Sequence, residues 1–251
     1  MPDRKNLPLH HDPRQGLPEL TPLTVEPPGG PAARMQRYLL QCAIEIMNAG
    51  RIPSVSEVAE AAQVSRATAY RYFPTRSKLI AAVTDYSLGP VRSWRAHSAN
   101  GKERINELFA ATFPRFEEYE VPLRAAMQVA LEHEAMQRAG LLKEDRYRRG
   151  YRRGILAHAA EPLRATLGQK GFERLLRALS LVYGIEPYVI VKDMWGGTNA
   201  ETSELARWVA QAIVDAAVGE ANTRKLKPAA SAAGRNPPRA PVKRRKTIKE
   251  S

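Results

Sequence analysis

Apolar residues recur at helical spacing along most of this chain, and this periodicity constrains its fold more than any other feature. Leu39, Ala43, Ile46 and Met47 follow an i, i+4, i+7, i+8 pattern, which places them on one face of a helix. Gly or Pro stands in most intervals between periodic segments, and no segment alternates apolar and polar residues over the length of a strand. The pattern predicts an all-α fold, with helices at 34–49, 55–62, 66–73, 76–87, 102–119, 122–139, 143–167, 172–194 and 201–219.

The two ends of the chain differ from its middle. Residues 1–33 hold 8 of the 19 prolines. Residues 221–251 carry ten basic side chains, one acidic side chain and few large apolar ones, so burial would not offset the entropy lost on ordering them. We therefore predict a disordered Pro-rich leader (1–33) and a disordered basic tail (221–251) around folded segments at 34–90 and 91–220.

Charge and cysteine content limit the classes of protein that this chain can belong to. The formal net charge of +13 favours a polyanionic partner, usually a nucleic acid, although +9 of it lies in the basic tail. The single cysteine, Cys42, excludes an intrachain disulfide framework and a Cys-rich zinc site. No apolar run approaches the ~20 residues that span a bilayer, and the first residues lack the apolar core of a signal peptide. A secreted or membrane-spanning protein is therefore not expected.

The clearest local signals lie in the stretch SVSEVAEAAQVSRATAYRYFPTRSKL, which starts at Ser54. Ser54 and Glu57 have the S-x-x-E spacing of a capping box, which marks a helix start. Ser65 can cap a second short helix, and Pro74 ends it because proline disfavours helical geometry at the preceding residue. Thr75 can then cap the next helix. Two short helices joined by a tight turn and braced by an earlier helix make a helix-turn-helix arrangement, so we assign 34–90 as a DNA-binding domain.

The second helix of this pair has small residues at its front and basic and aromatic residues behind them. Arg66 and Thr68 can offer donors to base edges, whereas the following tyrosines and arginines suit phosphates, which set register without reading sequence. In the alternative interpretation this is a solvated helix whose aromatic residues pack against its neighbour. The predicted DNA contacts are Ser54, Ser56, Ser65, Arg66, Ala67, Thr68, Tyr70, Arg71, Tyr72 and Arg76.

The run VSRATAYRYFPTRSKL resembles the DNA-binding signature of TetR-family transcriptional repressors, roughly A-G-V-S-x-x-T-[LI]-Y-x-[HY]-F-x-[SN]-K-x-x-L. Residues on matching positions are Val64, Ser65, Thr68, Tyr70, Tyr72, Phe73 and Leu79. Gln63 stands at the usual turn glycine, so the turn either accepts a strained residue or differs in geometry. Ala69 is smaller than the usual Leu or Ile, and Arg76 replaces Lys while keeping a phosphate-binding charge.

The resemblance implies a regulator of transcription in the bacterial cytoplasm, with repression as the family default. A homodimer would place two recognition helices in successive major grooves of double-stranded DNA, ~34 Å apart on a near-palindromic operator. A small-molecule effector bound in the C-terminal body would move the two DNA-binding heads apart and release the operator.

Residues 91–220 would then form the effector-binding and dimerisation domain. Aromatic residues and Met at helical spacing are candidates for an effector pocket, although each is also a plausible core residue: Phe109, Phe113, Phe116, Met127, Leu131, Leu156 and Tyr183. In TetR-like proteins the final two helices usually form the dimer interface. The matching apolar residues, which can equally pack within one chain, are Leu175, Leu179, Val182, Leu205, Trp208, Val209, Ala212, Ile213 and Ala216.

The sequence favours neither an enzyme nor a metalloprotein. Glu132-His133-Glu134 lacks a second His four residues away, and adjacent helix positions point in different directions. Neither a Gly-rich phosphate loop nor a local nucleophile motif is present in the sequence, so no cofactor is expected. The alternative function is a nonspecific DNA-coating protein that binds mainly through its basic tail.

Overall fold

The computed structural model of the chain describes residues 29–147 and 151–232, with side chains in the last helix as far as Arg224. These residues form helices and no strands, as the periodicity predicts. The helices are α1 (Pro31–Asn48), α2 (Val55–Ala61), α3 (Arg66–Tyr72), α4 (Arg76–Ser87), α5 (Gly89–Arg92), α6 (Gly101–Glu118), α7 (Glu120–Arg138), α8 (Tyr151–Ala160), α9 (Arg164–Leu179), α10 (Glu186–Tyr188) and α11 (Asn199–Ala232). A 3₁₀ turn (Glu161–Leu163) joins α8 to α9, and a π-helical segment (Val189–Met194) follows α10.

Side-chain caps begin the three short helices of the N-terminal region, as the sequence predicts. Ser54 and Glu57 form a reciprocal capping box: the Ser54 hydroxyl accepts from the Glu57 N–H at 3.2 Å, and the Ser54 N–H donates to the Glu57 carboxylate at 2.8 Å. The Ser65 hydroxyl accepts from the Thr68 N–H at 3.1 Å, and Thr75 caps α4 in the same way. Each helix start is therefore specified by residues within one turn of it.

Helices α1 to α4 pack around a first hydrophobic core. Its fully buried side chains include Leu39, Met47, Val58, Phe73, Leu79 and Ile80. The core continues beyond the predicted domain boundary at residue 90, because Ala125, Ala126 and Val129 of α7 pack against the same cluster. The N-terminal region is thus joined to the rest of the chain through α7.

A second core lies among α6, α8, α9 and α11. Its centre is a set of aromatic side chains in mutual contact, with ring centroids 5.1 to 5.9 Å apart: Phe109, Phe113, Phe116, Tyr183 and Tyr188. Their two polar groups are satisfied inside the core: the Tyr188 hydroxyl donates to the backbone carbonyl of Phe113 at 3.2 Å, and the Tyr183 hydroxyl shares a hydrogen bond with Thr112 at 2.9 Å. Such contacts hold these helices, the C-terminal body of the chain, together as one packed unit.

Two long predicted helices are interrupted in the structure. Within the helix predicted at 143–167, residues 143–147 are not helical, because they belong to a connecting segment (141–147) held by tertiary hydrogen bonds, and the described helix α8 runs from Tyr151. The helix predicted at 172–194 ends at Leu179, and the chain turns through Gly184, whose φ is +148°. Pro187 lies in the first turn of α10, where its missing N–H leaves no helical hydrogen bond unmade.

The structure also shifts the ends of the folded region. α1 begins at Pro31 rather than at residue 34, since proline is well suited to the first helical position. α11 continues to Ala232, past the predicted start of the disordered tail at 221, and this part of the sequence contains alanine, lysine and arginine, which favour a helix. Residues 1–28 and 233–251, which hold most of the predicted leader and tail, lie outside the described residues.

Candidate nucleic-acid interface and adjoining cavity

The turn between α2 and α3 is a Schellman motif that glycine usually completes. The Val64 N–H donates to the Ala59 carbonyl and the Gln63 N–H to the Glu60 carbonyl, both at 3.0 Å, while Gln63 adopts a φ of +53°. Of the two outcomes that the sequence left open, the turn accepts a strained residue. Val64 is half-buried against the first core, and this contact helps to fix the angle at which α3 leaves the turn.

α3 has a buried face and an exposed face. Ala69 of α3 is buried against the neighbouring helices, and its small side chain lets α2 and α3 approach closely. On the other side, Arg66, Ala67, Tyr70 and Arg71 are exposed. They occupy positions i, i+1, i+4 and i+5, so the two arginines, the tyrosine hydroxyl and a small alanine share one surface.

Hydrogen bonds orient several of the predicted contact residues. The Tyr70 hydroxyl shares a hydrogen bond with the Ser56 hydroxyl of α2 at 3.3 Å, and the Ser65 and Thr68 hydroxyls are 2.9 Å apart. The Ser54 hydroxyl is used in the α2 cap. These bonds reduce the side-chain freedom that binding would otherwise remove.

The remaining predicted contacts lie at the C-terminal end of α3 and at the start of α4. The Arg71 guanidinium lies 5.4 Å from the ring centroid of Tyr72, within the range of a cation–π contact. Arg76 differs from the others, because it forms an ion pair with Glu132 of α7 at 3.5 Å. A phosphate contact by Arg76 would therefore compete with this link to the body.

Comparison with known proteins identifies this region. Residues 53–83 match the family described as bacterial regulatory proteins, tetR family. The chain carries a TetR-family DNA-binding domain. It is a DNA-binding transcriptional regulator, and the matched segment contains the whole of the capped α2–turn–α3 arrangement. Searches of curated proteins and of solved structures found no match to the chain.

A cavity of about 140 Å³ adjoins the TetR-family domain, between α4 and the body. Most of its lining is apolar, and α4 together with its C-cap, Leu88, contributes four residues to it. The lining residues are Ala81, Thr84, Asp85, Leu88, Val91, Arg92, Phe116, Leu123, Ala126, Tyr147, Arg152, Tyr183, Gly184 and Ile185. Two of them, Phe116 and Tyr183, were predicted from the sequence as pocket residues.

The other predicted pocket residues do not line this cavity. Phe109, Phe113 and Leu156 are buried in the body core, and Met127 is half-buried against it. Leu131 is 64% exposed on the outer side of α7. Helical periodicity identifies these residues as apolar positions, but it does not say which of them border an empty volume.

Ion pairs and hydroxyls supply the polar part of the cavity wall. Arg152 donates to both oxygens of Glu186 at 2.9 Å and to the Ser180 carbonyl at 2.9 Å, and Arg92 pairs with Asp85. Glycine is favoured at position 184 because its φ of +148° is one that residues with a side chain rarely adopt, and a Cβ there would also lie 2.6 Å from Nη2 of Arg152. No local pattern in the sequence marks Arg152, since its partner lies 34 residues away.

The segment 141–147 connects this cavity to the start of α4. Tyr147 lines the cavity, and its N–H donates to Nδ1 of the buried His133 at 3.1 Å. Glu144 accepts a hydrogen bond from the Ser77 hydroxyl. Burial alone would raise the pKa of Glu144, but the hydrogen bonds from Ser77 and Thr75, together with the nearby His133, hold it below its ordinary value. His133 thus has a packing role, and the residues described contain no group of three or more potential metal ligands.

The structure separates the predicted dimer residues into two sets. Leu175 and Leu179 are buried in the chain's own core, and Val182 is half-buried against it, because α9 packs on α11. Leu175 and Leu179 are therefore covered within one chain, whereas Val182 keeps part of its surface exposed. On α11, Leu205, Trp208, Ala212 and Ala216 are exposed, and Val209 and Ile213 are partly buried.

No helix in the described part of the chain is both long enough and apolar enough to cross a membrane.

Proposed function

We propose that this protein is a repressor that binds a near-palindromic operator as a homodimer and leaves it when a small molecule occupies the cavity. The observation that carries the proposal is the exposed face of α3, where Arg66 and Tyr70 project from a capped and well-packed helix. Ala67 lets the helix backbone approach a groove closely. An arginine at the N-terminal end of a recognition helix is suited to bidentate contact with guanine.

α4 is the element that would connect the cavity to DNA binding. Ala81, Thr84 and Asp85 of α4 and its C-cap, Leu88, lie on one face at i, i+3, i+4 and i+7, and all four line the cavity. α4 begins only four residues after α3 ends at Tyr72, so a displacement of α4 also moves the recognition helix.

Several contacts hold α4 in one position against the body. Ser77 at its start donates to Glu144, and Arg115 of α6 donates to the Ser87 carbonyl at its end, at 2.8 and 3.1 Å. A second position of α4 requires these contacts to be exchanged for others, which makes the movement a transition between two states rather than a gradual drift. An effector shifts this equilibrium only through a difference in its affinity for the two states.

The homodimer rests on the exposed apolar surface at the N-terminal half of α11 and the segment before it. Trp208 is 68% exposed and Trp195 is 81% exposed, with Leu205 and Met194 exposed beside them in the chain. Large aromatic side chains that a single chain leaves in water are typical of the buried centre of a protein interface. We place the partner subunit on this surface.

Selection of bound fragments from a random pool of double-stranded DNA tests the proposal. A homodimeric reader yields a near-palindromic consensus whose half-site centres lie about one helical turn apart, ~34 Å. A selected pool without a consensus would contradict sequence-specific recognition. A consensus with a single half-site would contradict the dimer while leaving recognition by α3 intact.

The second candidate is a protein that coats DNA through its basic C-terminal segment. Residues 221–251 carry +9 of the net charge of +13, and phosphate neutralisation by such a segment is independent of sequence. The two candidates differ in the origin of affinity: the coating protein loses its DNA binding with the segment, whereas the repressor retains a preference for its operator.

A further inference from the structure

The size of the cavity limits what it can hold. Its volume of about 140 Å³ is close to the ~150 Å³ of an engineered apolar protein cavity that binds benzene. Val91, Phe116, Leu123 and Ile185 supply large apolar surfaces, so an occupant gains mainly by removing its own apolar surface from water. A single six-membered ring fits this volume.

The Thr84 hydroxyl is a point of the wall that can accept a hydrogen bond from an occupant. The Thr84 hydroxyl donates to the Ile80 carbonyl at 2.9 Å, so it is the acceptor in its 3.0 Å hydrogen bond with Tyr147. A hydroxyl oxygen has two lone pairs, and the Thr84 oxygen therefore has the capacity to accept a second donor. A hydroxyl group on the occupant meets this requirement.

The charged groups of the wall are matched within the chain. Arg152 is held by Glu186 and the Ser180 carbonyl, and Arg92 is held by Asp85. An ionised occupant would lose its hydration among mostly apolar side chains, beside two ion pairs whose charges already balance, and this loss is costly. The wall therefore favours an uncharged molecule.

We propose that the cavity binds an uncharged single-ring aromatic compound with one hydroxyl group, of which phenol is the smallest example. The ring lies against Phe116 and Leu123, and the hydroxyl donates to Thr84. This inference rests on the proposed effector response for its biological meaning, but binding to the cavity can be measured without DNA.

Calorimetric titration of the full chain with phenol, toluene and benzoate tests the ligand class. At neutral pH phenol is uncharged and benzoate is an anion. We expect saturable one-site binding of phenol, about tenfold weaker binding of toluene because it lacks the donor, and no binding of benzoate. Absence of phenol binding, or tighter binding of benzoate than of phenol, overturns the proposal.

Three variants locate the binding. Ala126→Leu fills the cavity and abolishes phenol binding, whereas Ala130→Leu, one turn further along α7 and outside the lining, retains it. Thr84→Val keeps the side-chain shape and removes the acceptor, so phenol falls to the affinity of toluene. Unchanged phenol binding in both Ala126→Leu and Thr84→Val would place the ligand elsewhere and overturn the proposal. If Ala126→Leu does not fold, the comparison of Thr84→Val with the unmodified chain still tests the proposal.

Operator release is measured separately, by adding phenol to the protein–DNA complex. Phenol that binds the free protein but leaves the complex intact supports the ligand class and contradicts the effector response. Release by a different compound, in the absence of phenol binding, supports the effector response and contradicts the ligand class. The two proposals therefore fail in distinguishable ways.

Discussion

At the scale of single residues, Gln63 is the clearest departure from an unstrained backbone. It is the one non-glycine residue with positive φ among those described, and it stands where the Schellman motif favours glycine. We expect Gln63→Gly to stabilise the fold by about 1 kcal/mol, because the relief of strain exceeds the entropy cost of glycine. Thermal unfolding would then shift upward by roughly 2–4 °C.

Gln63→Ala is the matched control for this change, since alanine removes the side chain but keeps the Cβ that is disfavoured at positive φ. Its unfolding temperature should stay at or below that of the unmodified chain. A Gly variant that melts no higher than the Ala variant would show that the turn stores no strain.

Two side chains of α3 allow sequence reading and phosphate binding to be separated. Arg66→Ala should weaken operator binding more than binding to random DNA, by about 1–3 kcal/mol, because the variant has no donor for a base edge. Tyr72→Phe removes only a hydroxyl suited to phosphate and should weaken both by the same factor. Fluorescence anisotropy with the two DNAs gives the comparison. If Arg66→Ala weakened binding to the operator and to random DNA equally, Arg66 would not be a residue that reads base edges.

Residue-scale predictions from the sequence succeeded where the partners are close in the chain. The caps at Ser54, Ser65 and Thr75 depend on neighbours three residues away, and all three form. Arg76 and Arg152 have partners 56 and 34 residues away, and no spacing rule could have found them. The same limit applies to the cavity, because its walls come from five separate stretches of the chain.

At the scale of secondary-structure elements, the start of α2 depends on an ionised carboxylate. Hydrogen bonds from the backbone and hydroxyl of Ser54 lower the pKa of Glu57 below its ordinary value of 4.5. The unfolded chain therefore binds a proton more readily than the folded chain, so the contribution of Glu57 to stability is present above pH 4.5 and is lost as the pH falls through the folded pKa. Urea unfolding at pH 7 and at stepped acidic values would report this decline.

Glu57→Gln keeps the capping geometry but does not titrate. Its stability should be lower than that of the unmodified chain at pH 7, and the difference should shrink as the pH falls below 4.5. A difference that is constant with pH would show that the Glu57 charge has no part in the cap.

Element boundaries were predictable where Pro, Gly or a cap marks them and unpredictable where tertiary bonds decide. Pro74 ends α3 as expected. Residues 143–147 were predicted as the start of a helix but are not helical, because the Tyr147 N–H donates to His133 and Glu144 accepts from Ser77. The apolar face of α9 was predicted to contact a partner subunit. No pattern in the sequence indicates that α11 of the same chain packs on this face instead.

At the scale of the whole molecule, the exposed surface of α11 should hold two chains together. Trp208 is the large exposed aromatic side chain of this surface, and Trp208→Glu places a charge there. We therefore expect the dimer to dissociate at micromolar concentration. Sedimentation velocity measures the change. Leu131→Glu is the control, since Leu131 is also about two-thirds exposed but lies on α7. Dissociation of the dimer in both variants, or in neither, would contradict the assignment of this surface.

The division of charge along the chain allows recognition by α3 to be separated from attraction by the tail. A chain that ends at Ala232 keeps α11 and removes residues 233–251, which carry seven basic side chains and one acidic one. Its affinities for a selected operator and for random DNA of the same length should be measured over a range of salt concentrations. Recognition by α3 predicts that both affinities fall and that the preference for the operator persists. The salt dependence of each affinity should become shallower by ~0.9 log units for every phosphate that the tail no longer neutralises. Disappearance of the operator preference with the tail would contradict sequence-specific recognition by α3.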